Sequence, residues 1–198
     1  YPTDTLLPGM KLGWDRTKNL SKTLTSWASK KDPSSGSYVF AIENWKFSHG
    51  LLSSKGQLEY RTDFSYSNIV NITETQEEIS HSLSIVTNVS SISLLRISSI
   101  GTLRLLAFIG GEMHILFHFP RDDCDFYNTC GENSYCNTSG DCVCIAGFQW
   151  GGQYALGLTK SRQRCVRKSL SCQEKEFKKI RNMKLPDTEY AILDAKVG

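Results

Sequence analysis

The stretch CDFYNTCGENSYCNTSGDCVC, Cys124–Cys144, is closed 21 positions later by Cys165, which gives the spacing C-x5-C-x5-C-x5-C-x-C-x20-C. A segment of this length cannot bury enough apolar surface to hold itself folded. Cross-links that restrict the unfolded chain supply the deficit, at roughly 2–4 kcal/mol each. Zinc is the rival reading of clustered thiols, but zinc knuckles favour C-x2-C or C-x4-C spacings and often recruit histidine. Between Cys124 and Cys165 there is neither a CxxC pair nor a His. Six disulfide-forming cysteines, Cys124, Cys130, Cys136, Cys142, Cys144 and Cys165, are therefore expected, and with them an oxidising, extracellular compartment. Spacing alone leaves 15 pairings open.

Outside this cluster the chain is ordinary in composition. Of its 198 residues 39% are apolar and 22% charged, so neither a disordered nor a collagen-like chain is indicated. The cysteines all lie C-terminal to residue 123, and the preceding part must fold without cross-links. Its longest apolar run, Leu105–Gly111, is far shorter than the roughly 18 residues of a membrane helix. The chain opens on Tyr1 with no charged leader, and we expect a fragment of a longer secreted or membrane-anchored protein. Four N-x-S/T sequons, at Asn19, Asn71, Asn88 and Asn137, fit the same compartment. The formal charge is +3, but Lys160–Lys184 carries ten Lys and Arg against Glu174 and Glu176. Outside a cell such a run faces acidic polysaccharide, anionic head groups or acidic protein rather than nucleic acid, or it is simply a solvated face.

Tyr1–Lys31 is rich in turn formers and its apolar residues are scattered, which reads as loop and edge structure. Asp32-Pro33-Ser34-Ser35-Gly36 reads as a turn, followed by a half-buried strand on the alternating Tyr38, Phe40 and Ile42. From Ser82 to Phe119 the same period of two recurs in Leu83 and Ile85, Ile92 and Leu94, Leu103 and Leu105, then Met113, Ile115, Phe117 and Phe119. Gly101 and Gly110-Gly111 fall where turns belong. The expected fold is mainly β, a meander of short antiparallel strands with one packed face. Residues 43–80 suggest only loops and short strands such as Phe64–Val70. Phe177, Ile180, Met183 and Leu185 fit either a helix or a strand before Pro186.

No catalytic constellation emerges. There is no G-x-S-x-G or H-E-x-x-H, and His49, His81, His114 and His118 are not spaced as a triad. On a helix His114 and His118 could share a metal. On a strand they stand roughly 13 Å apart at about 3.3 Å per residue, so no metal ligands are assigned. They are expected on the wet side of a strand whose other side carries Ile115, Phe117 and Phe119. Asp122, Asp123 and Asp125 around Cys124 invite calcium, but Asn137–Asp141 lacks the aromatic that such a site uses, and we read them as turn formers.

Several segments together resemble the ectodomain of plant S-domain receptor-like serine/threonine kinases. YPTDTLLPGMKLG (Tyr1–Gly13), Leu24-Thr25-Ser26-Trp27 and Asp32–Gly36 are similar to the segment leaving that family's bulb-type lectin domain. Pro120–Tyr127 with Cys130-Gly131 resembles the P-x-D-x-C-D-x-Y-x-x-C-G signature that closes its S-locus glycoprotein domain. Cys144-Ile145-Ala146-Gly147-Phe148 is similar to the turn of an EGF-like module. Cys165-Val166-Arg167, Leu170-Ser171-Cys172 and Met183–Thr188 resemble the entry to a PAN/apple domain. The resemblance implies a lectin-domain tail and linker at 1–35, an S-locus glycoprotein domain at 36–120, an EGF-like module at 121–166 and the start of a PAN/apple domain at 167–198. It implies the pairs Cys124 with Cys136, Cys130 with Cys142 and Cys144 with Cys165, leaving Cys172 without a mate in these residues.

The resemblance also implies a place on the extracellular side of the plasma membrane, or secretion. It implies an extracellular protein or glycan ligand, a receptor homo- or hetero-dimer, and a family role in recognition of pollen. No cofactor belongs to these residues; ATP and magnesium are implied only for a kinase domain whose H-R-D and D-F-G motifs they lack. The family's W-x-S-G-x-W-N-G element is not reproduced at Glu43–Gly50, and its Q-x-D-x-N-x-V-x-Y mannose sites are absent.

Overall fold

A computed structural model of the chain describes residues 3–42, 50–62, 70–83, 92–151 and 164–168. Asn88, Cys172, the Phe177–Pro186 stretch and seven of the ten Lys and Arg of the Lys160–Lys184 run lie outside them. The described residues contain sixteen strands, every named pairing antiparallel, and no α-helix.

Three four-stranded sheets make the body. The first places β1 (Thr5–Leu6), β10 (Ile92–Ile97), β11 (Leu103–Ile109) and β12 (Glu112–Phe119) side by side. The second runs β3 (Leu20–Lys22), β2 (Lys11–Asp15), β9 (Glu78–Leu83), β8 (Val70–Glu74). The third is a simple meander of β4 (Leu24–Ser29), β5 (Asp32–Ile42), β6 (Gly50–Ser54) and β7 (Gln57–Thr62). All three give side chains to one buried cluster: Leu6, Leu95, Ile97, Leu103 and Leu105 from the first, Leu12, Ile79 and Leu83 from the second, and Leu24, Phe40, Ile42, Leu52 and Tyr60 from the third. Each sheet buries its apolar face only against the other two.

The strands of the N-terminal segment correct the loop part of its reading, while β1, β3 and β4 stand at sheet edges as expected. β1, β2 and β4 bury Leu6, Leu12 and Leu24, β3 buries no apolar residue, and the partners are distant: Thr5 lies opposite Arg96 and Trp14 opposite Ile79. Strands this short carry no periodicity; long-range pairing makes them. The turn expected at Asp32–Gly36 lies instead at Lys30-Lys31, and β5 begins at Asp32. Pro33 is tolerated because the β4–β5 register slips twice there and β6 pairs with β5 only from Tyr38 onward. β5 runs through positions 35 and 36, and the strands on either side of it share the core.

Turn chemistry agrees with expectation at Gly110-Gly111, both at positive φ (61° and 94°), which is the twist a two-residue hairpin requires. Packing parity differs in β10. There Ser93, Leu95 and Ile97 are buried, while Ile92 is 58% exposed. In β12 the register slips between Leu105 and Leu106 and leaves Leu116 without an opposite number. Phe117 and Phe119 pair with the buried Leu105 and Leu103, whereas Ile115 pairs with Leu106 and Met113 with Phe108 on the outward face. His118 faces outward with Arg104, and His114 shares the inner side with Ala107. The bulge thus sets the two histidines on opposite faces of this edge strand, both solvent-exposed as expected, and puts Ile115, expected inward, on the outward face.

Candidate recognition site

Two surface features and one joint follow from this architecture. The first is a cleft of about 300 Å³ where the β10–β11 turn meets the end of β4. The turn is tight: Ser98 N donates to Thr102 O at 2.9 Å, Ser98 Oγ accepts from Thr102 N at 3.0 Å, and Gly101 N donates to Ser98 O. Slippage of the β4–β5 register on both sides of Trp27 accompanies its half-buried place in the cleft wall. Arg96 lies over the Trp27 ring, 5.7 Å from its centre, and its Nε donates to Asp4 Oδ2 at 2.8 Å. Asp4 is buried and also accepts from Thr5 Oγ1 at 2.7 Å, so the carboxylate is committed to fixing Arg96. Arg104 and Lys30 complete the cleft's cations, and neither forms an ion pair among the described residues.

The second feature is the outward face of β10–β11–β12. Cross-strand rows Ile92–Phe108–Met113 and Leu94–Leu106–Ile115 continue into Arg96–Arg104–His118. Ile92, Phe108, Met113 and Ile115 are 41–58% exposed, an apolar patch that ends at the cationic row beside the cleft. Contiguous exposed apolar surface of this kind marks contact sites more often than isolated exposed residues do.

The joint attaches the cysteine-rich segment to the body. Tyr60 in β7 is fully buried, stacks at 6.3 Å on Phe119 and meets Phe126 edge-on at 6.4 Å. Its hydroxyl donates to the Phe119 carbonyl at 3.3 Å, and Tyr127 N donates to Glu59 O at 2.6 Å. Burial pushes the Tyr60 phenol well above its ordinary range.

In the segment itself the sulfurs join Cys124 to Cys136, Cys130 to Cys142 and Cys144 to Cys165. Two short hairpins carry them, β13 (Ser134–Cys136) with β14 (Cys142–Cys144), and β15 (Phe148–Gly151) with β16 (Arg164–Arg167). The Sγ atoms of Cys130, Cys136 and Cys142 lie within 4.8 Å of one another, a spacing that would suit a metal. All three are in disulfides and offer no thiolate. Asp122 Oδ1 accepts from Cys124 N at 2.8 Å and Asp125 Oδ2 from Arg121 N at 2.6 Å, so these carboxylates shape the 3-10 turn at Asp123–Asp125. Among the sequons, Asn19 is exposed in a turn at positive φ, and Asn71 is exposed on β8. Asn137 Oδ1 accepts from Ser139 N and Asp141 N at 2.9 Å each, closing the β13–β14 turn.

Residues 61–151, from the end of β7 through β15, match the S-locus glycoprotein domain. Over its whole length the chain is 36% identical to the receptor-like serine/threonine-protein kinase SD1-8 of Arabidopsis thaliana, of which it covers 26%. It is 37% identical to the G-type lectin S-receptor-like serine/threonine-protein kinase SRK of the same plant, covering 25%. It is 36% identical to the S-locus-specific glycoprotein BS29-2 of Brassica oleracea var. alboglabra, covering 50%. The chain contains an S-locus glycoprotein domain over residues 61–151. It spans between a quarter and a half of the length of these relatives.

The matched S-locus glycoprotein region contains β10, β11 and β12 with their apolar face, the joint residues Phe119 and Phe126, and five of the six bonded cysteines. The cleft straddles its edge in sequence, because Asp4, Trp27 and Lys30 come from upstream strands and turns. Sequence reasoning missed the cleft for that reason. Its one local signal was the Arg96 and Arg104 pair at mirrored positions about the Ser98–Gly101 turn. No helix among the described residues is long and apolar enough to cross a membrane.

Proposed function

We propose that this chain is the ligand- and partner-recognition part of the extracellular region of a plant S-domain receptor-like serine/threonine kinase. The observation that carries the reading is the alignment of the entire chain, at 36–37% identity, with receptor-like kinases and an S-locus-specific glycoprotein alike. In this reading the stretch shared with those relatives lies outside any kinase domain. In this reading residues 121–166 are an EGF-like module and 167–198 open a PAN/apple domain. The parent sits in the plasma membrane with this part outside, and recognition of pollen is the family role it would serve. A body welded to a stapled module through Tyr60 suits such a task, since bringing two receptors together depends on presenting surfaces in a fixed geometry.

A second reading is favoured by the S-locus-specific glycoproteins, half of whose length the chain covers: a secreted glycan-binding or cell-wall protein with no kinase output. Full-length transcript sequencing with protease treatment of intact cells separates the two. The receptor reading expects an apolar run of about 20 residues and kinase motifs downstream, and an N-terminal tag that protease removes from intact cells. A stop codon before any such run, with the protein in the medium, supports the secreted form. A tag protected inside intact cells would overturn both.

A further inference from the structure

We propose that the cleft between Trp27 and the β10–β11 turn binds a saccharide bearing a carboxylate, a uronic-acid unit, through Arg104 and Lys30. The inference rests on the recognition reading above and names the ligand chemistry of that surface. Two independent observations point to an anion. Arg96 and Arg104 are direct cross-strand partners on one face, and His118 is the next residue in the row. Like charges held opposite each other are destabilising unless a counter-charge lies between them. The single carboxylate lining the cleft, Asp4, is already spent on Arg96 Nε and Thr5 Oγ1, and it is sequestered from the opening. Arg104 and Lys30 are both exposed and lack an acidic partner among the described residues. The cleft thus presents unneutralised positive charge in a concave, partly apolar setting, which concentrates anions.

The other lining groups select the kind of anion. Ser98, Ser99 and Thr102 place hydroxyls along the turn, and Trp27 gives the opposite wall its apolar character. A pyranose ring has one apolar C–H face and a rim of hydroxyls, and it meets both walls. A planar carboxylate matches the fork of a guanidinium. A volume of about 300 Å³ is at the small end of ligand pockets, sized for a sugar unit or two rather than a peptide strand.

The test is calorimetric titration of the full chain, expressed in secreted form, with a galacturonic-acid trimer, beside a neutral glucose trimer, sodium sulfate and an oligoglutamate peptide. The expected result is saturable binding of the acidic trimer and none of the neutral one. Arg104→Ser should weaken it about tenfold, the loss of one charge-assisted contact, and Arg121→Ser, away from the cleft, should leave it unchanged. Trp27→Phe should weaken it as well, and both variants should keep the parent melting temperature to show that the body is intact. Absence of binding by the acidic trimer overturns the proposal, as does equal binding by Arg104→Ser. So does saturation by sulfate or by the peptide at equal affinity, which would make the cleft a bare anion hole or an acidic-peptide site. None of these outcomes alters the protease result, so failure of the ligand assignment and failure of the recognition reading are separable.

Discussion

Tyr60 joins three functions in one side chain: it fills the core, stacks on Phe119 and carries the contact to Phe126. Its raised titration point makes a signed prediction. An unfolded tyrosine loses its proton near pH 10, while the buried Tyr60 holds its own to higher pH. Its contribution is therefore complete below about pH 10 and drains away as pH rises beyond, because only the unfolded chain ionises there. Tyr60→Phe should lower stability by about 0.5–1.5 kcal/mol at pH 8 through the lost bond to Phe119 O. The gap to the parent should narrow by pH 10.5, and urea midpoints at the two pH values measure this. Gly13 is a second residue-scale case. At φ 141° it lies against the Ile79 carbonyl, where a Cβ would collide. Gly13→Ala should cost about 1–3 kcal/mol in the same assay. Neither demand was legible in the sequence, where Gly13 looks like one turn glycine among several and Tyr60 like any aromatic.

At the scale of elements, the β12 bulge decides which side chains the molecule shows. Uninterrupted alternation would put Met113, Ile115, Phe117 and Phe119 on one face, and the slip opposite Leu105/Leu106 divides them into two outward and two inward residues. Ile115→Lys should then change stability by no more than about 0.5 kcal/mol, as exposed substitutions do. Phe117→Lys, against the core, should cost several-fold more or prevent folding. Thermal melts of the two variants check the register, and equal losses would refute it. The β10 parity was hidden for a related reason: ISLLRI holds apolar residues on both faces, so only the neighbours of the strand choose which is buried. Hairpin turns were more readable, because Gly110-Gly111 carries its backbone requirement in its own composition.

The whole molecule divides its stability between two mechanisms. Residues 3–119 contain no cysteine and depend on a core shared by three sheets, whereas residues 124–168 depend on bridges closing intervals of 12, 12 and 21 residues. Reductant should therefore remove hydrogen-exchange protection from the cysteine-rich segment and spare β10 and β11, with each bridge worth about 2–4 kcal/mol. Exchange mass spectrometry reads both regions in one experiment, and simultaneous loss in both would show that the Tyr60 joint makes them a single cooperative unit. The β class and the oxidising compartment could be read directly from the chain, because alternation and clustered cysteines are local patterns that any three-dimensional solution must honour. The cleft, the four N-terminal strands and the outward apolar rows depend on residues up to about ninety positions apart meeting across sheets. Such contacts leave no mark in a short window, since their free energy comes from burial that exists only once the three sheets close on one another.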